Sequence, residues 1–172
     1  MELSSIIMGA AAMLAATTAS AQDVPAGNMV VMNTTKGPVV IELYHNVAPK
    51  HVESFKTLIA KGFYDGLTFH RVVPGFVVQG GDPKGDGTGG PGYNVKAEFS
   101  NLPHKRGTVA AARSAHPDSA GSQFYIVLDE NSVRHLDGQY TIFGQVVEGM
   151  ENVDAIEMGD KMTDFTITES AE

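Results

Sequence analysis

The chain has 172 residues, with 12 Lys and Arg against 20 Asp and Glu, a formal net charge of −8. That balance gives no general attraction to nucleic acid or to acidic membranes. A composition of 42% hydrophobic and 19% charged residues is that of a globular chain, long enough for one domain plus a short extension. Cysteine is absent, which excludes disulfides, thiolate metal sites and thiol nucleophiles. The 19 glycines, many of them clustered, favour an all-β or loop-rich fold over a helical bundle.

Ile6 to Ala16 is an apolar run of signal-peptide length, too short to span a membrane comfortably. Small residues follow at Ala19 and Ala21, in the A-x-A arrangement of a cleavage site. The segment before the run contains Glu2 and no Lys or Arg, whereas an export signal usually starts basic. The alternative is a buried N-terminal helix, but a core helix does not require the small-residue pattern. The expectation is a signal peptide over 1–21, a mature domain over 22–172, and a periplasmic or secreted protein. No Cys stands at the cleavage point, so no stable membrane anchor is expected after cleavage.

Asn28 to Thr34 and Val39 to Tyr44 are β-prone runs separated by Lys36-Gly37-Pro38, which predicts a hairpin. Pro49 to Lys61 is the clearest helix, with Val52, Phe55, Leu58 and Ile59 on one face. Pro49 suits its first turn and Gly62 its C′ position. Leu67 to Val73 and Phe76 to Gln79 are strand-like. Pro74-Gly75 fits a type II turn, which predicts a corner rather than a tight hairpin. Gly80 to Asn94 holds seven glycines and is expected to be an irregular loop. Gly107 to Ala112, Ser122 to Leu128 and Gln139 to Val147 are further strands. Met150 to Ile156 is a short helix and Met162 to Thr168 a closing strand. About eight strands and two helices suggest an antiparallel barrel, closed to remove its edges, with helices over the open ends.

The stretch Phe69-His70-Arg71-Val72-Val73-Pro74-Gly75-Phe76-Val77-Val78-Gln79-Gly80-Gly81-Asp82 resembles the signature of cyclophilins. Gly121-Ser122-Gln123-Phe124-Tyr125-Ile126 matches the same family. So do Leu136-Asp137-Gly138, Phe143-Gly144-Gln145-Val146 and Gly149-Met150, in family order and spacing. The likeness runs from about Met29 to Ile167. It implies a mainly β fold, a closed eight-stranded antiparallel barrel capped by two α-helices, and peptidyl-prolyl cis–trans isomerase activity on Xaa-Pro segments. It further implies that Arg71 is the catalytic arginine and that Phe76, Gln79 and Gln123 belong to the catalytic group. Phe76, Val77, Tyr125 and Leu136 then wall a proline pocket, and Arg113-Ser114-Ala115 holds the residue before proline. His135 and Tyr140 complete the substrate site. Many family members carry Trp at the position of His135, so weak binding of the inhibitor cyclosporin is expected. Tyr125 stands for a common Phe and adds a hydroxyl that must find a partner or water. Tyr140 stands for a frequent His, Val77 for a common Met, and Ser114 for a common Asn; these changes resemble bacterial members.

Rotation about an Xaa-Pro bond faces a barrier of about 20 kcal/mol but breaks no covalent bond. Catalysis needs only a preference for the twisted amide, whose nitrogen accepts hydrogen bonds better than a planar one. Arginine suits that task because it is always protonated and carries several donors. Strand alternation puts Arg71 with Phe69 and Val73, and Val77 with Gln79, but places Phe76 opposite Val77. Both reach one pocket only if the chain bends at Pro74-Gly75.

Other chemistries fit less well. The histidines His45, His51, His70, His104, His116 and His135 show no metal-ligand spacing, so no metal or cofactor is expected. His70 reads as a hydrogen-bonded structural residue beside Arg71. Ser122 lies in no G-x-S-x-G elbow. The loop from Gly80 to Gly92 lacks a phosphate-binding Lys and leads into no helix, and Asp82 and Asp86 lack a calcium-loop pattern. It reads as a rim beside the groove. The expected partners are unfolded or partly folded exported proteins containing Xaa-Pro, with the chain a monomer. A cyclophilin-fold chaperone or scaffold with little turnover is the alternative; Arg71 argues for catalysis, because a pure binder needs no donor there. A small-ligand barrel lacks supporting motifs.

Overall fold

Eight antiparallel strands join in one sheet, in the spatial order β3-β4-β6-β5-β7-β2-β1-β8. The computed structural model describes residues 27–168; the proposed export signal lies outside them. The strands are β1 Met29–Thr34, β2 Gly37–Leu43, β3 Arg71–Val73, β4 Val77–Gly80, β5 Thr108–Ala111, β6 Phe124–Val127, β7 Ile142–Glu148 and β8 Met162–Thr168. The helices are α1 Pro49–Ala60 and α2 Met150–Ala155. Two 3-10 turns, Glu130–Ser132 and Arg134–Leu136, are additions to the sequence expectation.

The sheet curls into a half-barrel rather than the expected closed barrel: β3 and β8 are its edges and share no ladder. The predicted strand from Leu67 explains the difference. Residues 66–69 do not run on as part of β3. They bond the turn before β8 and the first residue of β8 instead, through Phe69 N–H to Asp160 O (2.8 Å), Gly66 N–H to Met162 O (2.7 Å) and a lone bridge between Thr68 and Lys161. Only three residues, Arg71–Val73, remain for the edge strand. The expected corner at Pro74-Gly75 is also corrected. β3 and β4 pair as a hairpin, Val73 opposite Val77, across a three-residue loop. The turn itself is as read: Gly75 has φ 75° and Phe76 N–H bonds Val73 O at 2.9 Å.

Alternation along the central strands divides the apolar residues between the two faces of the sheet. Phe124 and Ile126 of β6, Val78 of β4, and Val109 and Ala111 of β5 join the main core with α1. Tyr125 and Val127, Val77 and Ala110 face the other way, into a smaller cluster with Val133 and Ile142. β6 is therefore buried on both sides. This second cluster carries the candidate site.

α1 buries the expected Val52, Phe55, Leu58 and Ile59, and His51 and Lys56 with them. Its first turn lacks a local cap: Pro49 has no N–H and Ala48 no capping group. Glu98, distant in sequence, supplies one. Its carboxylate accepts from the N–H groups of Lys50 (3.0 Å) and His51 (2.9 Å) and from His51 Nδ1 (2.7 Å). Burial lowers the pKa of His51 from its ordinary 6.5, although Glu98 opposes the shift. The ring is thus neutral at pH 7 and donates Nδ1–H. Burial pushes the Glu98 carboxyl up, but the hydrogen bonds from His51 and from the backbone of Lys50 and His51 outweigh it, leaving a net lowering from 4.5. Both groups are more acidic folded than unfolded, so the unfolded chain binds more protons and acid favours it. Each contribution is full above the unfolded pKa and is lost as pH falls through the folded one. The thermal midpoint is expected to fall between about pH 6.5 and pH 4, and Glu98→Gln to flatten the lower part of that profile. A midpoint constant over this range in the parent contradicts the assignment.

Candidate active site

Register across four strands builds the site. Arg71 on β3 lies opposite Gln79 on β4, Gln79 opposite Tyr125 on β6, and Tyr125 opposite Ala110 on β5. Directly opposed residues of antiparallel strands share a face. One row therefore presents a guanidinium, an amide and an aromatic ring side by side. Arg71 is exposed and donates from Nη1 to Gln79 Oε1 (3.2 Å). Gln79 Nε2 donates to Gln123 Oε1 (3.1 Å), and Gln123 Nε2 to the carbonyls of Gly87 (3.1 Å) and Gly89 (3.0 Å). The chain of amides fixes both glutamine orientations and leaves the remaining Arg71 donors free for a ligand.

Beside this row is a cavity of about 350 Å³. Its walls are Phe76, Val77, Tyr125 and Leu136, with Arg71 and Gln79 at one side and Ala112, Arg113, His135 and Tyr140 completing it. Phe76 and Val77 both reach it because Phe76 belongs to the hairpin loop and escapes the alternation of β4. The Arg71 guanidinium carbon sits 5.8 Å from the Phe76 ring centroid, at cation–π distance. His135 also stacks on Phe76, with centroids 6.2 Å apart and planes within 11°. Arg113 lies 4.5 Å over the Tyr140 ring and donates to Gln139 O from Nη2 (2.8 Å) and Nε (3.0 Å).

A second concavity, of about 480 Å³, adjoins the first through Gln79, Ala112 and Arg113. Ser114, Gln123 and the rim residues Gly87 to Asn94 line it. Asp82 holds that rim, accepting from the N–H groups of Lys84 (2.8 Å), Asp86 (3.0 Å) and Gly87 (2.5 Å). Burial pushes the Asp82 carboxyl up, and these backbone bonds bring it below the ordinary carboxylate value. Gly81 joins rim to strand at φ 96°, where a Cβ would stand 2.6 Å from Ser122 O; only glycine fits.

Of the residues singled out in the sequence, Arg71, Phe76, Val77, Gln79, Arg113, Ser114, Gln123, Tyr125, His135, Leu136 and Tyr140 line one concavity or the other. Ala115 lines neither; its carbonyl accepts from Arg113 Nη1 at 3.3 Å, which makes it part of the turn that carries the groove. His70 also departs from expectation, since its Nδ1 is buried without a hydrogen-bond partner. Ala112, which sequence reasoning passed over, lines both concavities. Its signal was weak: a small residue at a strand end.

A family model matches most of the chain. "Cyclophilin type peptidyl-prolyl cis-trans isomerase/CLD" covers residues 29–170. The chain belongs to the cyclophilin-type peptidyl-prolyl isomerase family. A peptidyl-prolyl cis-trans isomerase of Helicobacter pylori is 45% identical over 133 residues, 75% of this chain and 80% of that protein. Peptidyl-prolyl cis-trans isomerase B of Bacillus subtilis is 47% identical over 131 residues, 75% of this chain and 90% of that protein. Among solved structures, a Cryptosporidium parvum cyclophilin crystallised in the presence of the dipeptide Ala-Pro superposes with a TM-score of 0.77 at 31% identity. It covers 83% of this chain and 99% of that one. The chain is thus a member of an enzyme family, and it carries Arg71 and Gln79 beside an apolar cavity on one face of its sheet.

Proposed function

We propose that the protein binds Xaa-Pro segments with the proline ring between Phe76, Val77, Tyr125 and Leu136, and that Arg71 catalyses rotation of the preceding amide. The observation that carries this reading is the hydrogen-bonded chain Arg71–Gln79–Gln123, which holds a permanently charged donor at the edge of an apolar cavity. As the amide twists, its nitrogen loses conjugation and gains basicity. A donor already oriented there stabilises the twisted state more than either planar one. The ring stays in its pocket while the preceding carbonyl swings, and the segment before proline follows the second concavity past Ala112 and Arg113.

Substrates are unfolded or partly folded proteins. The apolar run Ile6 to Ala16 and the small residues Ala19 and Ala21 support work outside the cytoplasm, after removal of residues 1–21. The relative crystallised with Ala-Pro supports a proline-containing ligand. The protein is expected to accelerate cis–trans exchange in a short Ala-Pro peptide and to be inhibited by excess Ala-Pro dipeptide. Cyclosporin is expected to compete poorly, since His135 stands where many family members carry Trp. Exchange unaffected by the protein rejects the enzymatic reading.

A further inference from the structure

Tyr125 forms a wall of the cavity with its ring, yet its hydroxyl is turned to a partner elsewhere. It lies 2.8 Å from His104 Nε2. The two ring planes are parallel within 5°, with centroids 5.9 Å apart. On its far side, His104 Nδ1 is 2.9 Å from Asp137 Oδ1, and the same oxygen accepts the backbone N–H of His104 at 2.8 Å. The His104 side chain is fully buried, while that of Asp137 is 39% exposed.

The network assigns the protons. A carboxylate can only accept, so His104 donates from Nδ1, and the neutral ring in that tautomer presents a lone pair at Nε2. Tyr125 then donates its O–H to His104. Burial pushes the Asp137 carboxyl up, but the bonds from His104 outweigh it and hold it below its ordinary value. The arrangement has the order of an acid–base–hydroxyl triad, yet it does not make a nucleophile. Tyr125 is only 5% exposed, and burial raises its phenol well above the usual value.

We propose that Asp137 and His104 are positioning residues, a hydrogen-bonded strut that sets Tyr125 and Leu136 at the separation the proline ring needs. The reason lies in the local structure. Tyr125 is fixed by ladders on both sides, in β6. Leu136 ends a 3-10 turn of three residues, with no strand to hold it. Its neighbour Asp137 is the point where that turn is tied, through His104, to β6. A short turn so anchored keeps one position; untied, it samples several, and the pocket must be ordered by each ligand. His104 and Asp137 touch no ligand space themselves: neither lines the cavity.

The inference rests on the pocket receiving the proline ring, so the test reads binding as well as turnover. In the full chain, Asp137→Ala is expected to raise both the Kd and the KM of an Ala-Pro peptide about fivefold, the equivalent of one lost hydrogen bond, with kcat within about twofold. Asp137→Asn, which keeps an accepting oxygen, restores binding to within about twofold of the parent. Tyr125→Phe cuts the strut at its other end; combined with Asp137→Ala it adds little, because both break one chain. A purely architectural role lowers the melting temperature of Asp137→Ala and leaves the Kd of the folded protein unchanged; that result overturns the proposal. So do losses from the two changes that multiply in full. If Asp137→Ala does not fold, Tyr125→Phe alone carries the test, with a raised Kd expected and an unchanged one overturning it. A parent that binds no peptide overturns the pocket reading, and the strut with it.

Discussion

Arg71→Ala is expected to lower kcat/KM for an Ala-Pro peptide by about 10²–10³-fold, the usual cost of removing one oriented donor to a developing acceptor. Peptide Kd is expected to change by less than about threefold, because planar amides present a poor acceptor at nitrogen and the apolar walls are untouched. Stability is expected to hold, since Arg71 is exposed on an edge strand and makes one side-chain hydrogen bond, to Gln79. Arg71→Lys tests geometry rather than charge. An ammonium does not reproduce the planar fork, so most of the loss is expected to remain. Peptide exchange by NMR at saturating and sub-saturating peptide separates kcat from KM. A fall confined to KM would make Arg71 a binding residue only.

Phe55→Ala is expected to cost about 3–5 kcal/mol, a large part of the 5–15 kcal/mol typical of a domain. Phe55 is 3% exposed and projects from α1 into a cluster of rings. Its centroid lies 5.3 Å from Tyr64, 5.5 Å from Phe124, 5.2 Å from Phe143 and 6.2 Å from Phe165. Those rings come from β6, β7, β8 and the segment after α1, so one side chain joins the helix to three strands of a sheet that is not closed on itself. Removing it leaves a cavity that such varied neighbours cannot fill together. Urea denaturation is expected to show a lower midpoint with little change in slope. A loss below about 1 kcal/mol contradicts this account of the core.

Local pattern carried much of this into view. The apolar spacing of Val52, Phe55, Leu58 and Ile59 specifies a helix with one buried face, and Gly62 ends it at φ 74°. Met162–Thr168 is the strand its alternation predicts. What the pattern misses depends on partners remote in sequence. Whether β3 meets β8 depends on where residues 66–69 find hydrogen-bond partners, and no periodicity records that choice. The corner expected at Pro74-Gly75 becomes a hairpin because Phe76 is spent in the loop, a one-residue matter of register.

The site divides the same way. Arg71, Phe76, Gln79 and Gln123 are legible because their motifs are contiguous, and alternation puts Arg71 on a face without saying what lies across from it. The Tyr125 hydroxyl announces that it needs a partner, but His104 and Asp137 come from segments that share no pattern with it. Glu98 as the cap of α1 is equally hidden, since it lies far from the helix it completes.

Cis–trans exchange of one Ala-Pro peptide, measured by NMR with the parent and with Arg71→Ala at equal fractional saturation, tests the central claim most directly. The account predicts fast catalysed exchange in the parent and loss of nearly all of it in a folded variant that still binds. Equal exchange in both, or binding by the parent without exchange, contradicts it and leaves a pocket that holds proline without turning it.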